Sequence, residues 1–438
     1  MDSTTQSVVF TTQTPYPLPS QKFMIPTTWK RYHLSQLVNK ALDLAKPVPF
    51  DFLVKGEILR TSISEWCAEN GVGEEETLEI EYIESVLPPQ RLSEFPHESW
   101  VSAVLCELPN HFLTVAYDGY LRAFDMSRNP VLNTLLHTSP ITSFCTVPSP
   151  SNDNTYTIAT ASQDLTAQIS QISVEASSTS SKPLATLHLH TAPLSSVSSN
   201  AKGTQLLTSS WDGLVGLWDT TIPPTDEVPE PTLNERERKR RRKGDDATTK
   251  KPKRKAPINV LKSHIGRVSK AAWLNEKEGV SCGFDSTVRT WDVENGLCTR
   301  TIAASEKPFL DLVSRENGQS ALVVSTDRTM TLYDLRSSQL SAAVASFNHP
   351  STPSCIALPE SHTSSSQIVT GSYDGIVRIW DLRSNKAAIA TFKAWDGTKK
   401  VLAVDWRRGV VGVGGEGGLD LWKVAAESDT GAGSKKSV

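Results

Sequence analysis

Residues Gly371–Asp381 read GSYDGIVRIWD, and Ser209–Asp219 read SSWDGLVGLWD. In both, an Asp is followed six positions on by Trp and seven on by a second Asp. Asp-Gly marks a tight turn, and the alternation after it marks a strand, with Val377 and Ile379 facing opposite to their neighbours. The same spacing returns at Asp118, Phe124 and Asp125, at Asp285, Trp291 and Asp292, and at Asp327, Tyr333 and Asp334. Two weaker copies keep part of it: Asp164 with Ser170 and Gln171, and Glu416 with Trp422 and Lys423. The acid-to-acid steps are 46, 48, 73, 42, 47 and 42 residues. A period of about 40–45 residues with four strands per repeat is the signature of a propeller blade. One step carries a long insertion.

Residues from about 98 to 425 therefore resemble a WD-repeat β-propeller, and seven copies imply seven blades. The resemblance implies a buried network in each blade, in which the turn acid binds a histidine from an upstream loop and a Ser and the Trp complete the set. His190, Ser210, Asp212 and Trp218 match it, as do His349, Ser372, Asp374 and Trp380. His264, Asp285 and Trp291 match without the hydroxyl, Gly283 standing in its place, and His137, Ser162 and Asp164 match without the Trp. A hydrolase needs one such constellation in one cleft, whereas these recur once per blade. They read as structural, so no catalytic residue is expected and the chain is expected not to be an enzyme. No strand is evident after Trp422, so a segment near Arg91–Ser99 should complete the last blade and remove its open edge.

Composition agrees with a mainly β chain. The 438 residues are 38% hydrophobic with a net charge of −3, and long helical periods are scarce. The six cysteines (Cys67, Cys106, Cys145, Cys282, Cys298, Cys355) form no C-x-x-C pair, which suits free thiols in a reducing compartment. No signal pattern opens the chain, and no apolar run approaches the roughly 20 residues that span a bilayer. A soluble, intracellular protein without membrane contact is expected.

Residues 1–87 lack the repeat. VVFTTQ and PSQKFMIP read as a hairpin, and HLSQLVNKALDL places Leu34, Leu37, Val38, Ala41 and Leu42 on one helical face. PFDFLV reads as a buried strand, and Leu78–Ile83 as a last strand with Leu78, Ile80 and Tyr82 on one face. The order ββαβ–β is that of a ubiquitin-like β-grasp (α+β). The expected organisation is this domain at 1–87, a linker and closing strand at 88–99, and a seven-bladed WD40 propeller at 100–425. A disordered basic insertion is expected at 221–258 between blades three and four, and a disordered tail at 426–438.

The segments KPVPFDFLVKGEILRTSISEW and LEIEYIESVLPP resemble the N-terminal domain of the ubiquitin-like/WD-repeat ribosome-assembly factors, the WD-repeat subunit of the Pescadillo complex. The likeness covers nearly the whole chain. It implies a non-catalytic scaffold in maturation of the large (60S) ribosomal subunit and its rRNA, in the nucleolus and nucleoplasm. The implied partners are a block-of-proliferation-type WD propeller, Pescadillo through that complex, the pre-60S particle, and the AAA ATPase midasin. In that family one acidic side chain of the N-terminal domain completes the coordination of a Mg²⁺ held by midasin. Alignment on LEIEY puts it at Glu75, with Glu74 and Glu76 as register alternatives. The chain itself is expected to hold no metal or cofactor.

The insertion carries two basic clusters: Lys239, Arg240, Arg241, Arg242 and Lys243, then Lys250, Lys251, Lys253, Arg254 and Lys255. Their spacing reads as a bipartite nuclear-localisation signal for importin. Salt-dependent contact with rRNA phosphates is a second use, and a merely solubilising loop the bland one. The glycine-rich run Gly412–Gly418 lacks the Gly-Lys-Ser/Thr of a phosphate loop and reads as the seventh blade's turn. WDLR (Trp380–Arg383), with a partial copy at Tyr333–Arg336, matches a short motif by which some propellers dock on the adaptor of cullin-type ubiquitin ligases. A ligase substrate receptor is therefore the rival reading.

Overall fold

The computed structural model describes residues 4–44, 46–73, 75–85, 88–149, 155–174, 179–229, 251–303, 306–315, 318–337, 343–359, 366–384 and 386–424. The chain is mainly β. The N-terminal unit comprises β1 (Thr5–Thr11), β2 (Lys22–Pro26), α1 (Arg31–Ala41), β3 (Phe50–Val54), β4 (Glu57–Ile58), α2 (Ile63–Asn70) and β5 (Leu78–Glu84). Its sheet order is β2-β1-β5-β3-β4, with β1 and β5 parallel and the other pairs antiparallel. The apolar faces of these strands, Val8, Phe10, Phe50, Phe52, Leu78, Ile80 and Tyr82, close on Leu34 and Val38 of α1. Leu37 and Leu42 pack at the edge of this core, while Ala41 is exposed.

The helix α2 and the short β4 are additions to the sequence expectation. Ser62 and Glu65 form a capping box: Ser62 Oγ accepts from Glu65 N at 3.3 Å, and Glu65 Oε2 accepts from Ser62 N at 3.2 Å. Such reciprocal caps satisfy two donors that the first helical turn leaves orphaned. Gly71 ends the helix in the left-handed region with φ 65°, a conformation that favours glycine.

Seven sheets follow among the described residues, antiparallel in every pair but one. Their strands lie within 101–135, 141–188, 194–219 with 259–262, 268–302, 309–348, 353–393 and 401–423. The seventh is completed by β6 (Gln90–Phe95), which pairs antiparallel with Gly418–Lys423. There Arg91 Nε donates to Asp420 Oδ1 at 2.8 Å, and the Asp420 side chain is fully buried. The innermost strand of each sheet packs on that of the next, and the strand Val401–Arg407 packs back on Val101–Leu105, so the sheets form a closed ring.

A polar staple crosses every junction of this ring. Ser102 donates to Ile141 O, Thr142 to Leu194 O, Ser195 to Val268 O, Ser269 to Phe309 O and Ser354 to Val401 O, at 2.5–3.0 Å. Leu310 and Leu402 occupy the two remaining equivalent positions, and there carboxylates serve. Asp311 accepts from Ile356 N at 3.0 Å and Asp405 from Cys106 N at 2.7 Å. Each staple satisfies a buried backbone group that two sheets packed by apolar faces alone would leave unpaired.

The expectation of disorder across 221–258 is corrected at both ends. Lys253–Lys255 is a strand pairing parallel with residues 185–187, as a fifth strand on the edge of the second sheet. It is zipped to the other arm of the insertion: Glu227 N donates to Arg254 O, Arg254 N to Asp226 Oδ1 and Ala256 N to Glu227 Oε2, at 2.8–3.0 Å. The physical reason is that backbone pairing on a sheet edge needs no apolar side chains, and lysines are favoured there.

Candidate partner-binding sites

Glu75 sits in the turn after α2, and the loop is held from below. The buried amide of Gln6 on β1 donates to Gly73 O at 3.4 Å and to Glu76 O. Val72 N donates to Cys67 O at 3.0 Å and Glu76 N to Gly73 O at 3.2 Å. Glu75 and Glu76 are exposed, and the Glu75 carboxylate has no hydrogen bond or ion pair among the described residues. Glu74 lies outside the described residues. A hard cation with one vacant position takes such a carboxylate oxygen readily. Among the described residues no group of three His, Cys, Asp or Glu converges to hold a metal.

The histidine networks are present with a different hydroxyl. His190 bonds Asp212 through Nδ1 at 3.1 Å and Thr208 Oγ1 through Nε2 at 2.9 Å; Trp218 Nε1 donates to the same Thr208 oxygen at 2.9 Å. Ser210 instead bonds the carbonyls of Ala192 and Pro193 and accepts from Asp212 N. Ser281 plays the Thr208 part between His264 and Trp291 at 2.7 and 2.8 Å, so that set is complete despite Gly283. Thr370 does so between His349 and Trp380, both at 3.0 Å. Thr160 bonds His137 at 2.9 Å, and Ser170 stands where a Trp would be.

A second correction concerns His349. Its Nδ1 bonds its own upstream carbonyl, Phe347 O, at 3.2 Å. Asp374 is taken by Arg378 at 2.7 Å, which lies on Ser372 as well. The first sheet repeats this arrangement with His97, Thr114, Asp118 and Arg122, a network missed in the sequence. The signal was there: His97 precedes Asp118 by 21 residues, as His264 precedes Asp285.

The titrations follow the geometry. Burial alone would raise the carboxyls of Asp164, Asp212 and Asp285, but their histidine, hydroxyl and backbone donors outweigh it and hold them below the usual range. Burial pushes His349 down to about 4, and Arg378 adds to this. The hydroxyls these histidines bond, Thr208, Ser281 and Thr370, are fully buried and each also accepts from a Trp Nε1.

The localisation clusters divide. Lys239, Arg240, Arg241, Arg242, Lys243 and Lys250 lie outside the described residues. Of the rest, Lys255 is buried, its ammonium donating to Thr221 O and lying 3.9 Å from Asp219. Lys253 and Arg254 are half-buried on the strand.

In the ligase motif, Arg383 is already engaged. It bonds Asp381 at 3.1 Å and crosses to Glu81 of β5 at 2.9 Å. Lys386 reaches Glu57 at 2.8 Å, and Arg60 donates to Ala388 O at 2.7 Å. The N-terminal unit therefore covers the end of this motif. In Gly412–Gly418, the ring of Trp395 fills the space a phosphate would need, since a Cβ on Gly417 would fall 2.3 Å from it.

Repeat spacing, ring of sheets and recurring histidine networks define a WD-repeat β-propeller protein preceded by a separate small domain. Family models agree: residues 7–67 match the NLE (NUC135) domain, and 181–219 and 342–381 match the WD domain, G-beta repeat. Along its whole length the chain is 70% identical to the ribosome biogenesis protein YTM1 of Coprinopsis cinerea, 99% of which is covered. It is 62% identical to that of Laccaria bicolor over 96% of this chain and 95% of the relative. The protein of the same name in Aspergillus oryzae is 31% identical over 95% of this chain and 90% of the relative. The chain belongs to the YTM1 family of ribosome biogenesis proteins.

Proposed function

We propose that the chain is a non-catalytic assembly factor of the large (60S) ribosomal subunit: a seven-bladed propeller that binds a partner, and a ubiquitin-like handle by which it is removed. The observation that carries this is Glu75, an exposed carboxylate without a partner among the described residues, in a member of a ribosome biogenesis family. The partner of the propeller is the block-of-proliferation-type WD protein, with Pescadillo in the same complex. Glu75 supplies one oxygen to the Mg²⁺ held by midasin, whose ATP-driven pull draws the factor and its partner off the pre-60S particle. The basic insertion serves import by importin to the nucleoplasm and nucleolus, with rRNA phosphate contact as a further use. Engagement of Arg383 by Glu81 weighs against the ligase-receptor alternative.

The test is capture of the full chain by the midasin adhesion domain with Mg²⁺ and with chelator. Binding that needs Mg²⁺ and disappears in Glu75→Ala, while Glu76→Ala binds as before, is the expected result. Equal capture of wild type and Glu75→Ala would remove the ligand assignment.

A further inference from the structure

Large apolar side chains stand immediately before the turn acid in four of the seven copies: Tyr117, Trp211, Phe284 and Tyr373. All four are exposed at the end of the ring that carries the histidine loops. At the junction of the third and fourth sheets they are joined by a cation. The guanidinium of Arg267 lies 4.3 Å from the centroid of the Trp211 ring and 5.7 Å from that of Phe284. Trp211 is 39% exposed, Phe284 43%, and the neighbouring Ile265 92%.

One position of the fourth sheet departs from the repeat. Ser162, Ser210 and Ser325 bond the carbonyls of their upstream loops through their hydroxyls. In the fourth sheet Gly283 stands at that position without a hydroxyl, and Arg267 O accepts from Phe284 N at 2.7 Å, as Pro140 O, Pro193 O and Pro308 O accept from Gln163, Trp211 and Thr326 N at 2.9–3.1 Å. A Cβ on Gly283 would meet that carbonyl at 2.6 Å. The close approach of that carbonyl therefore requires glycine at 283. Arg267 has no ion pair among the described residues, so its full charge faces outward from an aromatic bed.

We propose that Trp211, Arg267 and Phe284, with Ile265, form the hot spot by which the propeller grips an acidic, apolar segment of its partner protein. The inference rests on the partner-propeller reading above and adds where and how the grip is made. Trp, Tyr and Arg dominate interface energetics because a rigid ring gives area at low entropic cost and a planar fork holds a carboxylate. The cation asks for a carboxylate, the rings and Ile265 for an aliphatic or aromatic neighbour. A protein segment supplies both. Single-stranded RNA also stacks on such beds, but it needs a groove of several cations tracking its backbone, whereas here one guanidinium, that of Arg267, lies on the two rings.

The test is titration of the full chain with the block-of-proliferation-type propeller protein, comparing wild type, Trp211→Ala, Arg267→Glu and Arg267→Lys. Truncating a hot-spot side chain costs about 2 kcal/mol or more, so Trp211→Ala and Arg267→Glu are expected to weaken binding about 30-fold or more. Arg267→Lys, which keeps charge but loses the fork, should weaken it less, and Leu297→Ser on an outer strand should leave it unchanged. Melting midpoints serve as the folding control; Arg267→Glu, an exposed loop change, carries the test should Trp211→Ala unfold. Wild-type affinity in both hot-spot variants overturns this site and leaves the partner reading standing. No wild-type binding overturns both. Unchanged partner affinity together with lost binding of a single-stranded oligouridine probe overturns the protein occupant.

Discussion

One hydroxyl in each of several sheets does the work of tying histidine to tryptophan. Thr208 and Ser210 are two residues apart on one strand and so share a face, which is why alternation alone did not separate them. The structure separates them by depth: Thr208 lies between the two rings, and Ser210 under the loop. The same networks set how stability depends on pH. His349 is held at about 4 in the fold against an ordinary value of 6.5. Below pH 6.5 the unfolded chain takes up a proton that the folded chain refuses, so stability falls as pH drops from 6.5 to 4. His97 is lowered too, first by burial, and adds in the same direction. Asp285 is depressed, so its contribution is present above about 3.8 and is lost only as pH falls further. Melting midpoints at pH 7 and pH 5 should therefore differ by less in His349→Gln than in wild type, whatever that variant costs at pH 7. An undiminished difference would remove His349 as the source.

At the scale of elements, the closing strand is the joint on which the ring depends. The pairing of β6 with Gly418–Lys423 brings Arg91 onto a carboxylate with no solvent exposure. Removing one partner of a buried pair strands the other charge, whereas replacing both by apolar groups is far less costly. Arg91→Ala is expected to destabilise the ring by about 2 kcal/mol, the exposed side of Arg91 tempering the loss. Hydrogen exchange should then rise together in residues 90–95 and 418–423. Arg91→Met with Asp420→Leu should recover most of that protection; if the double variant exchanges as fast as Arg91→Ala, the ion pair is not what holds the strand. The closing segment was legible near Arg91–Ser99 because an unpaired last strand demands a partner. The repeats were legible because each copy restates the spacing. The strand Lys253–Lys255 was not, since its composition is that of a solvated loop and its pairing is carried by backbone groups. Nor was α2, although Ser62 and Glu65 print its cap in the sequence.

For the molecule as a whole, what matters is how the handle is attached to the body. The buried clusters of the two units are separate among the described residues, one spanning Val8–Tyr82 and the others beginning at Phe95, while Leu53 and Ile83 are buried on the face of β3 and β5 that carries Glu81. Contact is made by Arg383 with Glu81, Lys386 with Glu57, and Arg60 with the carbonyl of Ala388, at 2.7–2.9 Å. The turn at Gly56 lies close enough that a Cβ would meet Arg383 O at 3.2 Å. Partly exposed ion pairs contribute about 0–1 kcal/mol each and are screened by salt. Such pairs hold the N-terminal unit on the ring yet yield to screening or to a competing charge. Raising salt from about 0.05 to 0.5 M, which shortens the screening length from roughly 14 to 4 Å, should lengthen the distance between fluorophores on the two units. Arg383→Glu should do so at low salt, and adding Glu81→Arg should draw the units together again. A distance indifferent to both salt and charge reversal would mean that these pairs follow the docking rather than cause it. Recovery in the double variant would tie the placement of the Glu75 loop to two side chains on opposite units, one of them the arginine of the WDLR motif.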